Sequence, residues 1–414
     1  MHVLNTRAIG FTLAVALALL TAGHMLYAVM RISFSIVLPD IMRTIGIPLG
    51  LAGLIANAFG LGQALSGIPG GWILQRKGPK FSLSLGILTM TAANFLTGLA
   101  TFALDMLAYR VLLGVGQGVW NVAYVRTVGG LFPRRRALSI TLFSGNYTLG
   151  MAWGAPLTGY LYVIAQDWRF PFYVIAFAGL ALSAAIFAFL KSSALTPREE
   201  SLRVPSKSFQ PSVSHRDPSY WATIKMRNVG LLCLIGLVWG LLAHGLIALY
   251  PTYLREVGRF DPVTTGLVTS MMFWLPFATS MLTSVLSDKF GRKWLLLYEG
   301  LATSVVVYFM FRLPSESLWF ASAATIIYGL AQGGGYSIIN SFMLDSVNGS
   351  RAGAAVGFLN SFMFLGSGFS AMIFGYFISI WGWATASYWL MALAVAFVAI
   401  ATLTQETVAP HLSE

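Results

Sequence analysis

Twelve predominantly apolar stretches, each long enough to cross a lipid bilayer as a helix, divide this chain from end to end. About 20 such residues are needed to span the hydrocarbon core. Cutting at glycine, proline and charge clusters puts the stretches near 10–38, 48–74, 81–101, 106–130, 138–163 and 171–190, then near 228–252, 263–287, 294–312, 318–343, 353–379 and 384–404. Inside lipid every backbone polar group needs an internal partner, which leaves only helices and closed barrels. Barrels show alternating segments of about 10 residues, and no such pattern is visible. The expected fold is an all-α membrane protein, with twelve transmembrane helices in two pseudo-symmetric six-helix bundles. The bundles are expected over 1–190 and 226–414, joined by a linker at 191–225 rich in Ser, Pro and charge. Composition agrees: 57% of the residues are hydrophobic and 10% charged, against roughly 25% charged in a soluble domain.

The net charge of +12 invites a nucleic-acid reading. That reading fails, because the cations are scattered over short loops between apolar spans. Loops on the side of the N-terminus hold 18 of the 26 Lys and Arg residues, against 5 on the opposite side. The excess of cations marks the cytoplasmic face, so both termini are expected there. The first apolar run lacks a small-residue cleavage site and continues into a second span, which favours a retained helix over a signal peptide. The single cysteine, Cys233, excludes an internal disulfide and fits no metal motif. Neither a nucleotide loop nor a catalytic constellation is visible, so no cofactor and no enzymatic activity are expected.

The spans are interrupted twice by a similar cluster. "GGWILQRKGPK" occupies 70–80, and "SVLSDKFGRK" occupies 284–293. Gln75 and Asp288 hold matching places 213 residues apart, and Pro39 and Pro251 are separated by 212. Two landmarks at nearly one offset make the chain an internal repeat. Parallel six-helix repeats are one architecture of transporters.

These two segments resemble the loop 2–3 and loop 8–9 signature of the major facilitator superfamily, with Ser284 in place of a glycine at the start of the second copy. "RVLLGVGQG", Arg110 to Gly118, looks like the superfamily's fourth-helix motif. The resemblance covers the whole chain and implies a secondary transporter with a cytoplasmic gate. Its gating residues would be Gly71, Gln75, Arg76, Gly78 and Lys80 in the first copy, and Asp288, Lys289, Gly291, Arg292 and Lys293 in the second. Asp345 and Arg351 stand near enough in sequence to extend the second cluster. Gln75 offers no full charge to a helix N-terminus, a deficit of roughly 0.3–1 kcal/mol against Asp. The gate is therefore expected to be asymmetric, latched mainly by Asp288. The fifth span reads "GMAWGAPLTG", which partly resembles the superfamily's antiporter motif; small residues that let helices pack closely are the plainer reading.

An ionisable residue inside a span is a functional candidate by default. Three cations lie there: Arg31, Arg110 and Arg126. His24, Tyr27 and Arg31 follow the i, i+3, i+7 spacing of one helix face. The repeat offset takes Arg31 to within a residue of His244, and Arg126 to within a residue of Asn340, with Tyr336 one turn earlier. The resemblance makes the first, fourth, seventh and tenth spans line a central cavity. His24, Tyr27, Arg31, Arg126, His244, Tyr336 and Asn340 are thus the expected substrate-binding residues. No carboxylate lies between Asp40 and Asp105, so Arg31 calls for an external anion, which a guanidinium grips bidentately. Glu299, the one carboxylate well inside a span, is expected at the membrane interface because the resemblance makes the ninth helix peripheral. Trp72, Trp168, Trp294, Trp319, Trp381 and Trp383 sit near span ends and are expected as interface anchors.

Arg31 and the Arg126 upstream of "FP" (Phe132–Pro133) also resemble the anion:cation symporter branch of the superfamily, although that branch's carboxylate in the fourth span is missing. The expected activity is secondary transport of a small organic anion of carboxylate type by alternating access. The expected state is a monomer in an inner or plasma membrane, with a proton or cation as coupling partner. His24 and His244 are then the cavity groups that titrate near neutrality. Polyspecific drug efflux is the alternative; it calls for a buried carboxylate for cations, missing from the first half. A non-transporting receptor on the same fold would be favoured by a large soluble extension.

Overall fold

The computed structural model describes residues 2–131, 136–190, 222–312, 316–347 and 351–407; the side chains of 2–12, 68, 136–144, 278, 281, 284 and 353 are not described. Expectations for Arg134, Arg135, the Phe132–Pro133 pair and the linker up to 221 fall outside those residues. The described chain forms thirteen helices. They are α1 (His2–Ile36), α2 (Leu38–Ile45), α3 (Leu49–Asn57), α4 (Phe59–Leu99), α5 (Ala103–Leu131), α6 (Arg136–Ala165) and α7 (Phe170–Phe189), followed by α8 (Arg227–Glu256), α9 (Pro262–Phe290), α10 (Arg292–Met310), α11 (Leu318–Ala331), α12 (Gly335–Asp345) and α13 (Ala352–Leu403).

Several of these helices depart from the expected one-per-span pattern, and each departure has a local cause. The first span breaks at Val37, where Pro39 opens α2 within its first turn. The second span is α3 plus the first part of α4, and the tenth is α11 plus α12 with Gln332–Gly334 between them. Conversely, α4 runs through two spans with a single non-helical residue at Gly78, and α13 does the same at Gly382. At the start of α9, Asp261 accepts hydrogen bonds from the N–H groups of Val263 and Thr264 and from the Thr264 hydroxyl. Partial burial alone would raise the Asp261 carboxyl, but these bonds together hold it below its usual range.

Gly78 and Gly291 are the turn glycines of the duplicated cluster, 213 residues apart. Their backbones agree: φ 80° and ψ 172° at Gly78, φ 98° and ψ 147° at Gly291. Only glycine adopts that region without strain. A Cβ at Gly78 meets nothing within 4 Å, whereas one at Gly291 lies 2.6 Å from a Glu406 carboxylate oxygen. Both alanine variants are therefore expected to lower the melting temperature in detergent, each by about 1–3 kcal/mol of strain, with Gly291→Ala the worse. Equal melting temperatures for wild type and Gly291→Ala would remove the strain argument.

The chain divides into two compact units, Met1–Gly46 with Ala58–Pro205, and Ile47–Asn57 with Ser206–Glu414. In the first, α4 packs on α5 and α7, and α1 packs on α6. The crossings depend on missing side chains: a Cβ on Gly62 would strike the carbonyl of Val111, and one on Gly114 the carbonyl of Phe59. Gly150 and Gly154 of the fifth-span motif likewise face the α1 backbone at Met25 and Val29. Close packing therefore accounts for these two glycines. In the second unit α8 lies along α13, with Gly240 against Met363 and Gly366 against Leu237. The short α3 joins this unit by packing on α13, where Gly53 touches the Ala371 backbone. Asn57 donates to the Ser370 hydroxyl at 2.8 Å and to the His244 carbonyl at 3.3 Å. The core of this unit gathers Leu232, Cys233, Leu296, Phe342, Leu359 and Phe397.

Six segments are long and apolar enough to cross a membrane by length and composition: Leu13–Ile36, Leu49–Gly67, Pro69–Leu99, Phe170–Phe189, Arg227–Glu256 and Ala354–Leu403. Large apolar side chains such as Phe102, Phe177, Phe187 and Trp319 are exposed, as lipid-facing positions require. Trp72, Trp294, Trp319 and Trp381 are exposed, in keeping with anchors. Trp168 is not an anchor. It is buried, donates to the Thr44 hydroxyl at 3.2 Å and packs edge-on to Phe172.

Candidate functional site

Arg31 lies near the C-terminal end of α1, five residues before Ile36, nine-tenths buried. Its guanidinium stands 3.8 Å from the centroid of the Phe59 ring and 5.7 Å from that of Tyr147. Cation–π contacts of this kind strengthen when desolvated. The Nη2 group has no hydrogen-bond partner, and no ion pair among the described residues includes Arg31. Burying a charge without a counterion is costly. The aromatic rings offset part of that cost and leave the outer edge of the fork unused.

Expected neighbours are present. Tyr27 is buried one turn before Arg31; its hydroxyl accepts a hydrogen bond from Gln63 Nε2 at 3.0 Å and its ring meets Tyr147 edge-on at 5.5 Å. His24 stacks between Tyr27 and Tyr124, at 5.4 and 4.2 Å between centroids. Its Nδ1 accepts the indole N–H of Trp120 at 3.3 Å. That nitrogen carries no proton here, and the ring serves as part of a wall.

Several further members of this cluster are not among the expected binding residues. Arg110 on α5 is fully buried, donates to the Met30 carbonyl at 3.3 Å and approaches the rings of Phe34 and Phe59 at 4.6 and 5.5 Å. Two guanidinium groups thus share the Phe59 ring, an arrangement that concentrates positive charge. As an ionisable residue within a span, Arg110 carries the same sequence signal as Arg31. Gln63, Phe59 and Tyr147 carry no comparable signal, because they reach Arg31 only through the packing of α1 against α4 and α6. Arg126 stands apart from them, exposed on α5.

The residues expected in the second half form a separate group within their own unit. His244 is half-buried and meets Trp239 edge-on at 5.6 Å. Tyr336 lies 6.2 Å from the same indole and is half exposed. Asn340 donates to the Tyr336 carbonyl at 2.8 Å. Trp239 is the hub, and its N–H donates to Glu299 Oε1 at 3.2 Å. Glu299 is therefore not interfacial: it is 3% exposed, held between α8 and the start of α12. The apolar flanks of α10 gave no sign of this, because the burial comes from α8 and α12.

The second-copy cluster holds together in part. Arg292 pairs with Asp288 at 2.9 Å, pairs with Asp345, and donates to the Ser287 hydroxyl at 2.9 Å. Lys289 and Arg351 lie outside that network: Lys289 approaches the Phe290 ring at 5.6 Å, and Arg351 points at the Met226 sulfur. Lys293 instead bonds the carbonyls of Thr402 and Thr404, while Glu406 accepts the backbone N–H groups of Arg292 and Lys293. This carboxylate occupies the α10 N-terminus, where an anion is favoured. In the first copy Gln75 and Arg76 are exposed, with Arg76 over Trp72 at 4.5 Å and Lys80 4.9 Å from the Phe187 ring. Gly71 is half-buried, and a Cβ there would meet nothing.

Comparison with known proteins follows the same lines. The family model described as Major Facilitator Superfamily matches residues 20–261 and 232–413. The "Probable sulfoacetate transporter SauU" of Cupriavidus necator is 26% identical over 368 residues, covering 84% of this chain and 83% of that protein. The cis,cis-muconate transport protein of Acinetobacter baylyi is 25% identical over 362 residues, covering 79% and 83%. A solved bacterial homologue of the human lysosomal transporter Spinster superposes with a TM-score of 0.77 over 94% of this chain and 95% of its own, at 18% identity. The helices, the duplicated glycine turn and these matches agree that the chain is a multi-pass membrane protein belonging to the Major Facilitator Superfamily.

Proposed function

We propose that this transporter moves a small organic anion, bearing a carboxylate or sulfonate, across the membrane by alternating access. The observation that carries the reading is Arg31: a buried guanidinium framed by Phe59, Tyr147 and Tyr27, with an unused Nη2 edge. Arg110 adds positive charge to the same ring. An anion reaching this buried, partnerless Nη2 supplies the missing counter-charge. Names of relatives support the class, since sulfoacetate and muconate are both small organic anions.

Tyr27 orients the guanidinium, and His24 backs the wall behind it. Arg126, His244, Tyr336 and Asn340 complete the proposed binding set in other stages of the cycle. The Asp288–Arg292–Asp345 network is the proposed gate latch, with Gln75 its weaker counterpart. Both termini face the cytoplasm in this reading, which protease accessibility in right-side-out vesicles tests: cleavage of either terminus from outside contradicts it.

A thermal-shift panel tests the substrate class. Mono- and dicarboxylates, sulfonates and sugar acids are expected to raise the melting temperature of the purified protein, while lipophilic cations leave it unchanged. Stabilisation by cations alone would favour drug efflux instead.

A further inference from the structure

The second unit contains a carboxylate that the anion site does not use. Glu299 on α10 is 3% exposed. Its Oε1 accepts one hydrogen bond, from Trp239 Nε1 on α8 at 3.2 Å. Its Oε2 has no partner. The carboxylate lies directly against Gly335 at the start of α12, where a Cβ would collide with both oxygens. It therefore sits at the break between α11 and α12, and the glycine there makes the room it occupies.

The groups around it are neutral or turned elsewhere. From α8 come Trp239 and, beyond it, His244, whose ring centroid is 5.6 Å from the indole. From α11 comes Tyr328, buried, with no partner for its hydroxyl and in electrostatic range of the carboxylate. At the break Gln332 donates through Nε2 to Thr303 at 2.8 Å, one turn after Glu299, while its Oε1 has no partner. From α12 come Gly335 and Tyr336, and the α13 residues nearest the adjoining Gly300 are Ala394, Phe397 and Val398. On α10 itself, Lys293 is committed to the carbonyls of Thr402 and Thr404. Among the described residues no ion pair includes Glu299.

An ionised carboxylate in such a place keeps one hydrogen bond and no counterion, which is costly away from water. A proton on Oε2 removes the charge and converts an orphaned acceptor into a donor, beside unpartnered oxygens on Gln332 and Tyr328. We propose that Glu299 is a proton-binding site of the transport cycle. It carries a proton in this conformation and releases it when the α11–α12 break moves and opens the pocket beside Trp239. Three features make the site conditional on conformation: a helix break at 332–334, a glycine contact and a single indole donor. The proposal assigns a coupling role that does not fall to His24, whose Nδ1 is engaged by Trp120.

As a transport role this rests on the transporter reading above, so the test has an arm that needs no substrate. Infrared difference spectra of the reconstituted protein between acid and alkaline buffer are compared for wild type and Glu299→Gln. The wild type is expected to show a carboxylic-acid C=O band at low pH, shifted in deuterated buffer and lost at high pH. Glu299→Gln should lack that band while keeping the wild-type circular dichroism. If Glu299→Gln fails to fold, Glu299→Asp replaces it, and a displaced band is expected. Coincident spectra for wild type and variant overturn the proposal. In the second arm, proteoliposomes that exchange an organic anion are given a pH gradient. Glu299→Gln is expected to retain exchange but to accumulate no more anion than without the gradient. Undiminished gradient-driven accumulation, or accumulation driven by sodium alone, overturns the coupling role. If the wild type exchanges no anion, the anion reading fails, and the infrared arm still decides whether Glu299 binds a proton.

Discussion

Arg31→Ala is expected to abolish anion exchange in proteoliposomes and to remove anion-induced thermal stabilisation, while the protein still folds. Truncating one partner of a buried, hydrogen-bonded charge pair costs about 2–5 kcal/mol, or roughly thirtyfold or more in affinity. In the proposed site the pair is completed by substrate, so the loss is expected in binding rather than in the unliganded fold. Removing the guanidinium also removes the cation that Phe59 and Tyr147 face at 3.8 and 5.7 Å, and it relieves repulsion with Arg110 on the shared Phe59 ring. These two effects oppose each other, so the melting temperature without ligand is expected to change little. Arg31→Lys sharpens the test. It keeps the charge but loses the planar fork, and is expected to bind anions more weakly than wild type yet better than Arg31→Ala. Wild-type exchange by Arg31→Ala would place the anion elsewhere.

The second large effect is on the fold. Gly114→Leu is expected to lower stability by about 3 kcal/mol or more, since the new side chain meets backbone rather than a movable tip. The carbonyl it would strike belongs to Phe59, the residue whose ring faces both Arg31 and Arg110. Displacing α4 from α5 is therefore expected to disturb the proposed anion site as well as the core. The expected result is a large fall in the melting temperature in detergent and, in any fraction that remains folded, weaker anion stabilisation. Gly71→Leu is the control: a Cβ there meets nothing within 4 Å, and its melting temperature is expected to stay near wild type. A Gly114→Leu protein as stable as that control would contradict the close-crossing account.

Much of this was legible in the sequence because lipid constrains sequence strongly. Apolar length gave the helical segments, and the duplicated turn gave a matched pair of glycines; Gly78 and Gly291 then proved to share one backbone conformation. Helix breaks were less legible. Nothing in the apolar run 318–343 marks Gln332–Gly334 as non-helical except its own glycines, and glycines are common throughout this chain. The site was legible where an unusual residue type announced itself, as with Arg31. It was illegible where roles depend on which helices touch. Phe59 and Tyr147 are ordinary aromatic residues until α1 packs against α4 and α6. Glu299 is expected at the interface because the resemblance makes its helix peripheral, whereas its surroundings come from Trp239 and Gly335 on other helices. Arg110 was visible as an in-span cation, and its partnership with Arg31 arises only from the shared ring of Phe59.

Counterflow is the most direct test that this protein moves small organic anions. Proteoliposomes loaded with an unlabelled short carboxylate or sulfonate are placed in a trace of the same labelled anion. Rapid, saturable accumulation of label is expected, inhibited by other small organic anions and absent from protein-free liposomes. Accumulation of a lipophilic cation under the same protocol, with none for any anion in the panel, would contradict it.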